Sequence, residues 1–216
     1  MDYVAARLNM IDSQVRTNSI RNPGLSTALA EVPRELFLPK AMRSYAYLDD
    51  NLDVGGRWLI EPLVLARLLE AAGIRPGDMV LNVGDATGYA TAVIARMAAF
   101  VVALDCDGDW VQKAGATLAE LGINNVDFVH GPLPRGHAAR APYDAIVFCG
   151  SVDTVPAEIL AQLAEGGRLV AVVGTASGQG RAVLVVRAGD GFGRREVFDA
   201  SLPALPGMAA KPSFVF

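Results

Sequence analysis

The run Val80-Leu81-Asn82-Val83-Gly84-Asp85-Ala86-Thr87-Gly88-Tyr89 decides how the chain is read. An apolar stretch from Met79 to Val83 enters a turn with two glycines four positions apart, and a helical pattern follows from Tyr89 to Met97. A strand that delivers into Gly-x-x-x-Gly and then a helix lets backbone amides approach a ligand, with a helix N-terminus behind them. Glycine-rich turns also arise for steric reasons alone, so this segment by itself leaves a ligand loop and a plain turn both open.

Asp105 narrows the choice. It closes the next apolar run, Val101 to Leu104, 21 positions after Gly84 by numbering. In nucleotide-binding α/β folds an acid at that place accepts hydrogen bonds from ribose hydroxyls, whereas the plain alternative is a helix-capping or loop aspartate. The pairing of glycine turn and acid favours an adenosine-containing ligand. Dinucleotides and methyl donors both satisfy it, although the Gly-x-Gly-x-x-Gly spacing of nicotinamide enzymes is absent.

Outward from this segment the alternation continues. Asp107 is placed to cap a helix running to Leu121 and stopped by Gly122, and strands follow at Val126 to Val129 and Ala145 to Phe148. A helix over Ala157 to Leu163 closes at Gly166-Gly167, and Arg168 to Val173 is a fifth strand. Ala182 to Val186 and Glu196 to Phe198 flank Gly189-Asp190-Gly191 and read as a hairpin. Upstream, short helices are expected over residues 2–13 and 25–32, a loop-rich stretch from Tyr45 to Arg57, and a strong helix opened by Glu61-Pro62 and ended by Gly73. The fold class is therefore α/β: a Rossmann-like, mostly parallel sheet with a C-terminal antiparallel hairpin and an N-terminal helical extension. The chain is expected to be one domain, with residues 1–60 as the extension and 61–216 as the core.

Composition sets outer limits. The chain has 216 residues, 52% of them hydrophobic and 19% charged, enough to bury a substantial core. A net charge of −4 argues against a general nucleic-acid binder, and the basic clusters Arg34–Arg43 and Arg135–Arg140 read as solvated surface. No uncharged apolar stretch approaches the length needed to span a bilayer, and the N-terminus lacks a signal-peptide core. Cys106 and Cys149, both in or beside apolar runs, suit a reducing cytoplasm and supply neither a disulfide framework nor a thiolate metal site. His130 and His137 flank one loop without nearby acids, so no metal is expected.

Several strings outside the glycine turn resemble one family. Met10-Ile11-Asp12-Ser13-Gln14-Val15-Arg16 and Val32-Pro33-Arg34-Glu35-Leu36-Phe37-Leu38-Pro39 resemble segments of the protein-L-isoaspartate O-methyltransferases, the second most specifically. So do Ala46-Tyr47 with Asp49, Leu52-Asp53-Val54-Gly55, Val83 to Tyr89, and Leu121-Gly122 with Asn125-Val126. Ala141-Pro142-Tyr143-Asp144-Ala145-Ile146-Val147 and Gln162-Leu163 through Gly166-Gly167-Arg168-Leu169-Val170 complete a series covering residues 10–174. The resemblance implies a class I methyltransferase that uses S-adenosylmethionine and acts on a carboxylate of a protein or peptide, the isoaspartyl residue of damaged protein. It implies cofactor contacts at Gly84, Asp85, Ala86, Thr87, Gly88, Tyr89 and Asp105.

The chain departs from the family where ligands are expected. In place of the family's Gly-His-Gly-Gln-Thr-Ile-Ser-Gln-Pro-like block stands Gly55-Gly56-Arg57-Trp58-Leu59-Ile60-Glu61-Pro62. Trp58 and Ile60 replace the two hydroxyl residues and supply no such hydrogen bond, so Arg57, Trp58 and Ile60 are the candidate substrate-loop positions. Arg57 is read either as a partner for the substrate carboxylate or as a surface arginine. Asp85 places a carboxylate in the cofactor loop, repulsive if it points inward and a turn residue if outward. Pro132 after Gly131 removes both an acid and an N–H from the loop after the third strand. These changes are consistent with a different acceptor, or with a binding module that has kept the fold and lost the reaction. Ser177 is read as part of a flexible glycine-rich connection, and Ser201 to Gly207 as an extended tail packing on the domain, with Phe214 and Phe216 as anchors or self-association residues.

Overall fold

The computed structural model describes residues 1–174 and 180–209; Ser177, Phe214 and Phe216 lie outside them. The chain begins with α1 (Tyr3–Met10), capped by the Asp2 side chain, and α2 (Pro23–Glu31), capped by Asn22 with Pro23 in the first turn. Two-residue strands β1 (Leu52–Asp53) and β2 (Trp58–Leu59) pair antiparallel within the stretch read as loop. Then α3 (Pro62–Ala72) ends at Gly73 in the left-handed conformation, as its sequence predicts.

The sheet is built from β3 (Met79–Val83), β4 (Phe100–Asp105), β5 (Val126–His130), β6 (Tyr143–Val152), β7 (Leu163–Val173), β8 (Gly180–Ala188) and β9 (Gly191–Ala200). The helices α4 (Tyr89–Ala95), α5 (Gly108–Glu120) and α6 (Ala157–Leu160) lie in the connections. The strand order is β5-β4-β3-β6-β7-β8-β9, parallel from β5 through β7 and antiparallel at the last two pairings. The mixed sheet with its terminal hairpin is the architecture expected from the sequence.

Boundaries differ where tertiary contacts extend an element. β6 runs four residues beyond Phe148 because Ser151 and Val152 still pair with Val172 and Val173 across a register shift. The helix read over Ala157 to Leu163 is one turn long. Gln162 ends it, its amide donating to the carbonyls of Arg135 and Glu158 and its carbonyl accepting from His137 N. The core lies on both sheet faces. On one, α3 and α4 join the N-terminal segments through Leu25, Leu29, Leu65, Leu69 and Val93; on the other, Leu81, Ile146, Phe148 and Leu169 meet Leu205 and Met208 of the C-terminal segment.

At the N-terminal ends of the parallel strands a single side chain ties three elements together. Arg168 donates to the carbonyls of Ala72, Gly73 and Asp144 and pairs with Asp78, whose carboxylate also accepts from Arg75 N. At the opposite ends the strand order reverses: from β3 the chain moves outward through β4 to β5, then returns to lay β6 on the other flank of β3. Ligands of open α/β sheets sit in the crevice above such a reversal.

Candidate functional site

Gly84, Asp85, Ala86, Thr87, Gly88 and Tyr89 follow β3 directly, and Asp105 closes β4, so the structure brings these sequence candidates to one end of the sheet. Gly84 holds φ at +81° and Gly88 at +86°, a region that L-residues rarely adopt, which is why both positions are glycine. Asp85 does not face the crevice. Its carboxylate turns back onto α4, accepting from Thr91 N at 2.7 Å, Thr91 Oγ1 at 2.9 Å and Thr87 Oγ1 at 3.2 Å. Burial raises the Asp85 pKa, and the bonds from Thr91, Thr87 and Gly88 oppose that rise. The acid thus stabilises a helix N-terminus.

Tyr89 is fully buried beneath the loop, edge-to-face with Phe37 at 5.5 Å between ring centres, with the Arg34 guanidinium 4.7 Å above its ring. Arg34, also fully buried, donates to the carbonyls of Ala46 and Ile60, at 2.7 and 2.6 Å. The expectation of a solvated surface for the Arg34–Arg43 cluster is therefore corrected at Arg34. Its string, the most specific in the sequence, specifies an internal brace that orients the loop carrying Arg57 against the glycine turn.

Arg57 settles between its two readings in a third way. Val54-Gly55-Gly56-Arg57 is the turn joining β1 to β2, closed by Val54 N donating to Arg57 O, while Asp53 accepts from the amides of Gly55 and Gly56. The hairpin projects Arg57 across the mouth of the crevice. There its Nη1 and Nη2 meet the two oxygens of Asp105 at 2.7 and 2.6 Å, and Nη2 also reaches Gly84 O at 3.3 Å. Only 11% of the Arg57 side chain and 5% of the Asp105 side chain are exposed. Burial acts to lower the Arg57 pKa, but the hydrogen bonds and charge of Asp105 outweigh it and hold the guanidinium above its ordinary value. Asp105 also accepts from Asp107 N at 3.0 Å.

Trp58 stands half-exposed at the same mouth, whereas the Ile60 side chain is buried in the core and only its carbonyl is used, by Arg34. Of the three substrate-loop candidates, the structure brings Arg57 and Trp58 to the crevice and turns Ile60 away from it. His130 is exposed, with Nε2 3.1 Å from Cys106 O, and the His137 backbone is held by Gln162 and Tyr143.

Residues not singled out from sequence complete the site. Below the loop, Asn82 donates to Thr91 Oγ1 at 2.9 Å and accepts from Cys149 Sγ at 3.1 Å, joining β3, α4 and β6; burial drives the Cys149 thiol well above its ordinary pKa. Above it, β6 outruns β3, and on the flank not taken by β7 it pairs with the C-terminal segment. Ser151 N donates to Pro203 O and Leu205 N to Ser151 O, both at 2.9 Å, with Ala204 opposite Ser151 in parallel register. This segment occupies the lane of β3 beyond the end of that strand. The Leu205 side chain lies against the glycines of both strands: a Cβ on Gly84 would stand 2.5 Å from Leu205 Cδ2, and one on Gly150 would stand 2.7 Å from it. Sequence reasoning placed this tail on the domain without locating it.

Comparison with known proteins adds to this geometry. Residues 6–198 match the family model described as Protein-L-isoaspartate(D-aspartate) O-methyltransferase. The chain is 39% identical over 186 residues to Protein-L-isoaspartate O-methyltransferase 1 of Rhodopseudomonas palustris, covering 86% of this chain and 76% of that one. It is 38% identical over 209 residues to Protein-L-isoaspartate O-methyltransferase of Methylorubrum extorquens, covering 96% and 91%. Among solved structures, a protein-L-isoaspartate O-methyltransferase superposes with a TM-score of 0.81 at 28% identity, over 93% of this chain and 66% of that longer one. A Plasmodium falciparum chain of that description, in complex with S-adenosyl-L-homocysteine, shares the fold with a TM-score of 0.76 at 18% identity, over 95% and 98%.

Proposed function

The chain belongs to the protein-L-isoaspartate(D-aspartate) O-methyltransferase family, and from that premise we propose that it is an S-adenosylmethionine-dependent carboxyl methyltransferase acting on isoaspartyl residues of damaged protein or peptide. The observation that carries this reading is the family match over residues 6–198, which embraces the glycine turn, Asp105 and the Arg57 hairpin together. A carboxylate acceptor is ionised at neutral pH, so the reaction asks no general base of the chain. The reading takes the chain as one domain, residues 1–60 extending the core of 61–216. It places the protein in the cytoplasm, on the strength of two free cysteines. It excludes nucleic acid as a partner on the net charge of −4, and a membrane because no helix among the described residues is long and apolar enough to cross one.

The test compares an isoaspartyl peptide with its aspartyl twin in a labelled-methyl incorporation assay. Labelling of the first and not the second is expected; equal inactivity in the presence of bound cofactor refutes the acceptor. A second reading, a family member that keeps the fold without the reaction, is favoured by one observation: both oxygens of Asp105 already accept from Arg57. A chain that binds no cofactor under any condition selects that reading instead.

A further inference from the structure

The crevice above the strand reversal is filled by the chain itself. On one side Arg57 presents two adjacent donors to the two oxygens of Asp105, the pattern that a ribose diol would present to the same acid. On the other side Leu205 seals Gly84, just past the end of β3, and Gly150, within β6. Between Gly56, Arg57, Trp58 and the Pro203–Pro206 segment a cavity of only about 20 Å³ remains. That is room for about one water, against the roughly 300 Å³ or more of a pocket that takes a ligand of cofactor size. An adenosine ligand held by both oxygens of Asp105 does not fit beside Arg57 and the strap as they stand.

We infer that Arg57 and the strap Pro203–Met208 form a latch that stands in for the ligand in the free chain and must release before an adenosine cofactor enters, an inference that rests on the methyltransferase reading above. Each part of the latch has few polar fastenings. Arg57 rides on a four-residue turn whose two glycines hold φ at +104° and +81°, anchored through Asp53 and not through the core. The strap is fastened by two backbone bonds to β6, Ser151 N to Pro203 O and Leu205 N to Ser151 O, by Asp153 N to Met208 O at 3.3 Å just beyond that strand, and by the burial of Leu205 and Met208 against the sheet. Pro203 and Pro206 restrict its backbone, so little order is lost when it reseats. The two halves support each other chemically. Arg57 neutralises an acid that would otherwise be buried without a counter-charge, and the strap narrows the space beside Arg57 to room for about one water.

A latch of this kind has a quantitative signature: it weakens cofactor binding by the fraction of time it is open, and loosening it recovers that factor. The experiment titrates S-adenosyl-L-homocysteine into four proteins: the parent, Arg57→Gln, Leu205→Ala and the double variant. Binding is read by calorimetry and by Trp58 emission. Trp58 and Trp110 are the only tryptophans, so Trp110→Phe in every member isolates the residue that borders the strap. Each single change is expected to tighten binding by about tenfold or more, with the double variant tighter than either. In the parent, saturating ligand is expected to speed hydrogen exchange at Leu205 N–H, because Ser151 O releases it. Leu205→Ala leaves the Arg57–Asp105 pair in place, so it carries the test even where Arg57→Gln impairs folding. Equal binding by all four proteins overturns the latch while leaving the methyltransferase reading intact. Absence of binding by all four overturns both. Tightening without methylation of an isoaspartyl peptide supports the latch and refutes the proposed acceptor.

Discussion

Replacing Arg57 by alanine removes a guanidinium that is 11% exposed from a carboxylate that is 5% exposed. Asp105 then retains one donor, Asp107 N at 3.0 Å, and loses two charge-assisted bonds of 2.7 and 2.6 Å. Breaking a buried pair from one side typically costs about 3–5 kcal/mol, most of it the penalty of stranding the remaining charge. The value here is expected near about 3, because the cavity beside Arg57 admits a water that partly solvates the exposed acid. For a chain of 216 residues, each kcal/mol lowers the melting temperature by about 2–4 °C, so a fall of about 6–12 °C follows. Urea unfolding of Arg57→Ala, Asp105→Leu and Arg57→Met/Asp105→Leu isolates the stranded charge: the apolar pair is expected to lie within about 1 kcal/mol of the parent or above it. A loss below about 1 kcal/mol for Arg57→Ala, the range of solvated surface pairs, refutes the reasoning, because it means that the pair is open in solution.

Other consequences are as direct. Arg34→Lys keeps the charge but cannot serve the Ala46 and Ile60 carbonyls together, so it is expected to lose about 2–3 kcal/mol by denaturant midpoint; a loss under about 0.5 refutes the brace. Gly88→Ala combines a residue at φ +86° with a Cβ placed 2.8 Å from Ala114 Cβ, and a loss of about 2–4 kcal/mol is expected in thermal melts. An unchanged melting temperature would disprove that packing. Burial, with Asp49 and Asp50 nearby, raises the Glu61 pKa in the folded chain. The folded state therefore holds that proton to higher pH than the unfolded state, and stability falls as pH rises from the unfolded carboxylate pKa through the folded one. Glu61→Gln should flatten that part of the stability–pH curve, and an unaltered slope there assigns it to other groups.

Local signals made the sheet legible. Apolar runs, Gly73 and Gly122 as helix stops, and Asp107 as a cap each act within a few residues, and each leaves its mark in the sequence. The reach of β6 and β7 was not visible, because Cys149-Gly150-Ser151 interrupts the apolar run while pairing with Val172 carries the strand onward. The bearers of the site were legible as residue types and places; their partners were not. Arg57 and Asp105 are 48 positions apart, and no periodicity announces that one closes on the other. Asp85 offered two orientations by charge alone, and Thr91, two residues into α4, decides between them. Leu205 lies in a tail whose proline-rich pattern says extended but carries no address. Its destination is set by Gly84 after β3 and Gly150 within β6, which leave a hollow where side chains would otherwise stand.

Arg168 gives the sheet two ends of unlike character. Its bonds to Ala72, Gly73, Asp144 and Asp78 lock the base with charge and carbonyls that no neighbouring loop can replace. The far end is closed by a hairpin turn and a strap whose fastenings are few and local. The base is thus held by one cationic side chain reaching several carbonyls and an acid, whereas the mouth is held by one ion pair and a short backbone ladder. A change at Arg57 is therefore felt in what can enter as well as in the fold, and a change at Arg168 in the fold alone.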